Sequence, residues 1–142
     1  MKGGNHNMQE QQELKIRPYE EPDFQAIHQL NEQEGWSNLV ANHVQTKAAW
    51  QGSNLAVVAE QDGQLVGCLR ALTDGAVTLF VCELIIEKSR RGTGIGGKLM
   101  QHVHDLYPGT RMELLASSTS RTYYETKKFR AFMDSEKRMK NN

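Results

Sequence analysis

Cysteine is scarce: Cys68 and Cys82 are the only two in 142 residues. Both stand in apolar, strand-like runs and neither has metal-ligand spacing. A disulfide framework and a cysteine metal site are excluded, and both thiols are expected buried and reduced in a cytoplasmic protein. Long apolar runs are missing too. None reaches the ~18 residues of a membrane-spanning helix, and the amino terminus is polar, so neither a span nor a signal peptide is predicted. Net charge is also missing, with 17 basic and 17 acidic residues. A duplex-binding protein is usually basic, so nucleic acid is disfavoured as the main partner. Charge is unevenly placed, however. Residues 1–34 hold three Lys/Arg against seven Asp/Glu, and residues 121–142 hold seven against three. Solvated surface is the plain account. The functional one is an acidic end near a cationic substrate and a basic end near phosphates.

What is present fits one domain with one sizeable core. Met1 to Glu13 is a polar tail that cannot bury enough apolar surface to offset its ordering entropy, so disorder is expected there. Residues 14–142 form the domain. Leu14 to Arg17 alternates as a strand, ended by Pro18. Pro22 and the acids around it start a helix over 22–33, with Phe24, Ile27 and Leu30 at helical spacing. Gly35-Trp36-Ser37 breaks it. A second helix over 38–51 carries Leu39, Val40, Val44, Ala48 and Trp50. Leu55–Ala59, Leu65–Leu69 and Val77–Ile86 read as strands. Asp62-Gly63 and Asp74-Gly75 are hairpin turns between them, which makes a three-strand antiparallel meander. A helix over 94–106 puts Ile95, Leu99, Val103 and Leu106 on one face, and Pro108-Gly109 stops it. Met112–Ala116 is a strand, Thr119–Lys128 a helix capped by Ser117 or Ser118, and Phe129–Met133 a last strand.

Chemistry concentrates between the third meander strand and the helix after it. Four glycines, at 92, 94, 96 and 97, fall within six residues behind Arg90 and Arg91. Glycine reaches backbone angles other residues avoid and lets a ligand approach the main chain. Successive N–H groups at such a turn make an anion-binding concavity, and the helix N-terminus adds partial positive charge. The pattern points to a polyphosphate. Gly92-x4-Gly97-Lys98 begins like a P-loop, but Leu99 stands where a Ser or Thr would hold Mg²⁺. Gly92, Gly94 and Gly97 satisfy G-x-G-x-x-G. That motif should follow its strand directly at the start of a parallel domain. Here Glu87 to Arg91 intervene, Glu113 sits about where a ribose-binding acid would but in mid-strand rather than at a strand end, and the sheet is antiparallel.

The third match is R-x-x-G-x-G, Arg91 to Gly96, and with it the chain resembles the GNAT N-acetyltransferase superfamily. Tyr123-Tyr124-Glu125-Thr126-Lys127-Lys128-Phe129 resembles a second signature of that superfamily. The element order β-α-α-β-β-β-α-β-α-β matches its α+β fold, a mixed, mostly antiparallel sheet flanked by helices, over residues 14–133. Two departures stand out. Lys128 occupies a helix-ending glycine position, at a cost of about 1 kcal/mol, and Ser117 and Ser120 replace Asn and Ala.

The resemblance implies an acetyl-CoA-dependent N-acetyltransferase. The cofactor pyrophosphate would sit on Arg90, Arg91, Gly92, Thr93, Gly94, Ile95, Gly96, Gly97 and Lys98, and Arg121 and Lys127 could reach the adenosine phosphates. The pantetheine arm would run along Leu84, Ile85 and Ile86, whose N–H groups could polarise the thioester carbonyl. Tyr124 would donate a proton to the leaving sulfur, help worth roughly 10²–10⁴ in rate. Glu83, next to Leu84 in an otherwise apolar run, is the candidate base. Partial desolvation would suit it to taking up a proton. An outward-facing acid, or one paired with arginine, is the plain alternative, and water could serve as base instead. Glu34 and Trp36 would border the acceptor site. The expected partner is a small-molecule amine, with a homodimer left open. His102 and His104 are two apart on a helix, do not share a face, and read as surface residues rather than metal ligands. A non-catalytic acyl-CoA-binding regulatory module is the second reading.

Overall fold

The computed structural model describes residues 13–114. The expected helix over 119–128, the last strand and the tail beyond it lie outside that range, as do residues 1–12. Five strands form one sheet in the order β1 (Lys15–Pro18), β2 (Leu55–Gln61), β3 (Gln64–Thr73), β4 (Thr78–Ile86) and β5 (Arg111–Leu114). Neighbours up to β4 pair antiparallel, and β5 joins β4 in parallel. The meander expected from the two Asp-Gly turns is β2-β3-β4. At the first turn Asp62 and Gly63 both take positive φ, +57° and +75°, as a tight two-residue hairpin requires.

A short 3-10 turn, Glu21–Asp23, leads into α1 (Phe24–Glu34). Phe24, Ile27 and Leu30 are buried, as their spacing predicts, and Asn31 with them. Gly35 ends the helix in the left-handed conformation. The single helix expected over 38–51 is two, α2 (Ser37–Ala41) and α3 (His43–Gly52). The break is Asn42, whose amide turns back onto the Asn38 carbonyl at 3.0 Å. Such local side-chain bonds compete with the helical ladder. The break also rotates α3: Val44 is 67% exposed and Ala48 faces water, while Thr46 and Trp50 are buried. On α4 (Ile95–Leu106) the inner stripe is Ile95, Leu99, Met100 and Val103, and Leu106 is exposed.

Two apolar layers sandwich the sheet. α4 covers one face over Leu69, Ala71, Leu79, Val81, Leu84 and Ile86. α1 and α3 cover the other over Val58, Cys68 and Ile85. Cys68 is fully buried, but Cys82 is only half-buried, contrary to expectation.

Alternation along β4 changes phase midway. Val81 and Leu84 point to the same face although they are three apart. The cause is a β-bulge: Leu72 pairs with Phe80 and Ala71 with Val81, but Arg70 pairs with Glu83, so Cys82 is the extra residue. Bulges re-aim side chains in this way. Without it Glu83 would continue the Leu79–Val81 stripe into the apolar layer under α4. With it Glu83 lies on the α1–α3 face beside Ile85.

Candidate active site

β4 ends at Ile86 and a 3-10 turn, Lys88–Arg90, swings the chain toward α4. The turn is pinned by Glu87 N–H to Val66 O at 2.8 Å and by Thr93 Oγ1 donating to Arg90 O at 2.6 Å. Gly92 and Gly94 have φ of +83° and +91°, and Gly94 is the N-cap of α4. Gly94 supplies no side-chain cap to that end of the helix. The first N–H groups of a helix have no partner within it, so a row of donors is left for an anion. A Cβ built at either glycine meets nothing within 4 Å; the space outside the loop is open to a ligand, which fits a phosphate-bearing one.

Both loop arginines are engaged by the protein itself. Arg90 bonds Gln61 and lies 3.7 Å from Glu87 and 3.9 Å from Asp62. Arg91 donates from Nε to Ile86 O at 3.2 Å and pairs with Glu34. Glu34 therefore ties the end of α1 to the loop, and Trp36 packs on the layer below α1. Lys98 is exposed and forms, with Ser89, Arg90, Thr93, Leu14 and the β1 residue Ile16, the wall of a groove of about 840 Å³. His102 lies on the same groove. His104, expected at the surface, is buried, with Nε2 3.0 Å from Thr110 O.

Leu84, Ile85 and Ile86 are the buried last turns of β4, paired with Leu69, Cys68 and Gly67 of β3. Among the described residues the pairing of β5 to β4 covers Thr78–Val81. Glu83 sits just before them, its side chain 9% exposed. Glu83 Oε2 accepts from Arg70 Nη2 at 3.0 Å, and Arg70 Nη1 donates to Ser53 Oγ at 3.1 Å. Glu83 Oε1 is buried with no hydrogen-bond partner among the described residues. Arg70 and Ser53 carried no signal in the sequence, because only the bulged register brings them to Glu83.

Burial pushes the Cys68 thiol well above its ordinary range, and the charges of Glu83 and Asp23 add to the effect. Burial also raises Cys82, against the opposing pull of Arg70. Neither is a thiolate at neutral pH. Among the described residues no group of three His, Cys, Asp or Glu is placed to hold a metal ion, and no helix is long and apolar enough to cross a membrane. Tyr124, Arg121 and Lys127 lie outside the described residues.

The chain thus carries a glycine loop between a strand and a helix on a mostly antiparallel sheet, and similarity to known proteins gives the family. The model of the GNAT acetyltransferase domain matches residues 10–141. The chain belongs to this family and is an N-acetyltransferase. Among solved structures, a GNAT family acetyltransferase from Brucella melitensis in complex with acetyl-CoA is 26% identical, with 80% of each chain covered and a TM-score of 0.57. One from Streptococcus pneumoniae is 22% identical over 78% of this chain and 79% of its own, with a TM-score of 0.62. An aminoglycoside N-acetyltransferase in complex with CoA is 17% identical over 80% of this chain and 85% of its own, with a TM-score of 0.63. No curated protein matches.

Proposed function

We propose that the protein moves the acetyl group of acetyl-CoA to a primary amine of a small molecule, by direct attack within a ternary complex. Acetyl-CoA is the co-substrate. The observation that carries this is the loop: two left-handed glycines open a helix N-terminus, one short 3-10 turn after β4. The acetyl-CoA held by the Brucella relative supports the same reading.

The pyrophosphate accepts from the main-chain N–H groups over Gly92–Gly97, with Lys98 nearby. The arginines act differently. Arg90 and Arg91 shape the loop through Gln61 and Glu34, and their charge reaches the phosphates partly compensated. The pantetheine arm runs along Leu84, Ile85 and Ile86, which sets the thioester beside Glu83. Alignment of this kind is worth several kcal/mol of barrier, up to roughly 7–11. A free amine near pKa 10 arrives protonated. Glu83 Oε1 accepts one ammonium proton, and the neutral nitrogen attacks the carbonyl carbon. The nitrogen of the adduct gives its second proton to solvent, and the C–S bond breaks as the carbonyl re-forms. The sulfur takes its proton from the Tyr124 hydroxyl, which is restored from solvent, and Glu83 returns its proton to solvent. Direct transfer is favoured over an acetyl-cysteine because both thiols are held protonated. Two free cysteines also suit a reducing, cytoplasmic setting. The aminoglycoside N-acetyltransferase among the structural relatives supports a small-molecule amine.

Thermal unfolding beside acetyl-CoA, ATP and NAD tests the reading. Acetyl-CoA at ~100 times its Kd should stabilise by about 2.7 kcal/mol, and the other two should not. A shift with NAD or ATP alone would overturn it. An amine panel then tests turnover, and Tyr124→Phe should lower kcat by roughly 10²–10⁴-fold. Unchanged turnover would remove Tyr124 from the chemistry.

A further inference from the structure

We propose that Arg70 is a positioning residue for Glu83: it binds one carboxylate oxygen and so presents the other to the acceptor amine. The inference rests on the reading of Glu83 given above.

Three observations lead there. The bulge at Cys82 brings Glu83 directly across from Arg70 on the α1–α3 face. Arg70 is itself tethered: Nη1 donates to Ser53 Oγ at 3.1 Å, and the Ser53 hydroxyl donates to Ala49 O at 2.7 Å, at the end of α3. The fork on Glu83 is only half closed. Elsewhere in the molecule Arg17 donates both Nε and Nη2, which share one edge of the guanidinium, to Glu60 Oε2. Arg70 donates only Nη2 to Glu83, and among the described residues Arg70 Nε and Glu83 Oε1 are both buried without a partner.

A glutamate side chain samples several rotamers when nothing holds it. Here one oxygen is fixed by a guanidinium that is anchored in turn to a helix end. The remaining oxygen can only accept, and an orphaned buried acceptor is unfavourable until a donor arrives. An ammonium or amine N–H supplies that donor. The half-buried Cys82 thiol, a weak donor, is directed to the Phe80 carbonyl at 3.7 Å and does not compete. The carboxylate is thus set for one incoming N–H donor.

The test measures kcat/KM for the best amine of a panel, KM for acetyl-CoA, and the thermal shift with acetyl-CoA, in wild type, Arg70→Met, Arg70→Lys, Ser53→Ala and Glu83→Gln. Misplacing a reacting group by about 1 Å costs on the order of 10²-fold. Arg70→Met should therefore lower kcat/KM for the amine by about that factor while KM for acetyl-CoA and its thermal shift stay within about twofold. Arg70→Lys, which keeps the charge but not the fork, should recover part of the loss. Ser53→Ala should lose several-fold on the amine side alone, and it decides the matter if Arg70→Met does not fold. Glu83→Gln separates the two ideas. If it is as active as wild type, the reading of Glu83 fails. If it is inactive while Arg70→Met and Ser53→Ala match wild type, Glu83 stands and the positioning role is overturned. Equal loss on the amine and acetyl-CoA sides would also overturn it, since that is what a purely structural role produces.

Discussion

Gly94→Ala tests the loop and the cofactor site with one substitution. Gly94 holds φ at +91° as the N-cap of α4. A Cβ there meets nothing within 4 Å, so no clash contributes and the whole effect on the free protein is backbone strain. Left-handed backbone costs a non-glycine residue about 1–2 kcal/mol. In a chain of 142 residues that lowers the unfolding midpoint by about 3–10 °C. Asn tolerates this conformation better than Ala, so Gly94→Asn should unfold between wild type and Gly94→Ala. The ligand response should not follow that order. Either side chain projects into the open space where phosphate oxygens approach the main chain, so acetyl-CoA should bind at least tenfold more weakly to both. Calorimetric unfolding with and without acetyl-CoA measures both quantities. An Ala variant as stable as wild type would refute the left-handed geometry. A destabilised variant with an intact acetyl-CoA shift would refute the placement of the pyrophosphate on this loop.

Three further outcomes are expected. Arg17 bonds both oxygens of Asp23 at 2.8 and 2.9 Å and Glu60 Oε2 at 2.7 and 3.1 Å; Arg17→Met leaves two partly buried carboxylates uncompensated, so chemical denaturation should show a loss of about 2–3 kcal/mol, and less than about 0.5 would refute it. Gly67→Ala puts a Cβ 3.1 Å from Ile86 Cδ1 and 3.3 Å from both Ile85 O and Ile95 Cγ2; crowding of about 1–3 kcal/mol should exceed the ~0.5–1 kcal/mol that Ala gains over Gly in a strand, seen as a lower midpoint and a weaker acetyl-CoA shift. Asp74 Oδ1 accepts the N–H groups of Ala76, Val77 and Thr78, and these bonds lower its pKa from 3.8 to about 2. Because the folded value is depressed, this contribution is complete above about 3.8 and is lost as pH falls toward about 2. The stability gap between wild type and Asp74→Asn should therefore close over that range in acid unfolding, and a gap independent of pH would refute the assignment.

Features written in local sequence were legible and features made by distant pairing were not. Asp62-Gly63 and Asp74-Gly75 announce the meander because a tight turn needs those residues whatever surrounds it. The glycines from 92 to 97 announce the loop for the same reason. Helix α1 and the inward Ile95, Leu99 and Val103 of α4 follow from apolar spacing, whereas Leu106, expected on the same stripe, is exposed. By contrast, His104 turns inward because the carbonyl of Thr110 lies beside it. Arg90 and Arg91 read as free cations for a phosphate, yet the folded chain supplies Gln61 and Glu34 as partners. The split at Asn42 was missed because a continuous apolar pattern outweighed one amide able to bond its own backbone.

Glu83 shows why the active face is the hardest part to read. Leu79 to Ile86 is apolar at every position except Glu83. A strand apolar on both faces has no alternation from which to infer which way a given residue points. Counting in twos from the buried Leu79 and Val81 puts Glu83 under α4, where an unpaired carboxylate would be strongly unfavourable. Burying Ile86 and Leu84 on that same side instead requires one residue to be skipped, and Cys82 is the one that bulges. The apolar demand of both ends of β4 is met only if the phase slips between them, and the slip delivers the strand's single charge to Arg70. Core packing in this way fixes the orientation of the residue we assign to the chemistry.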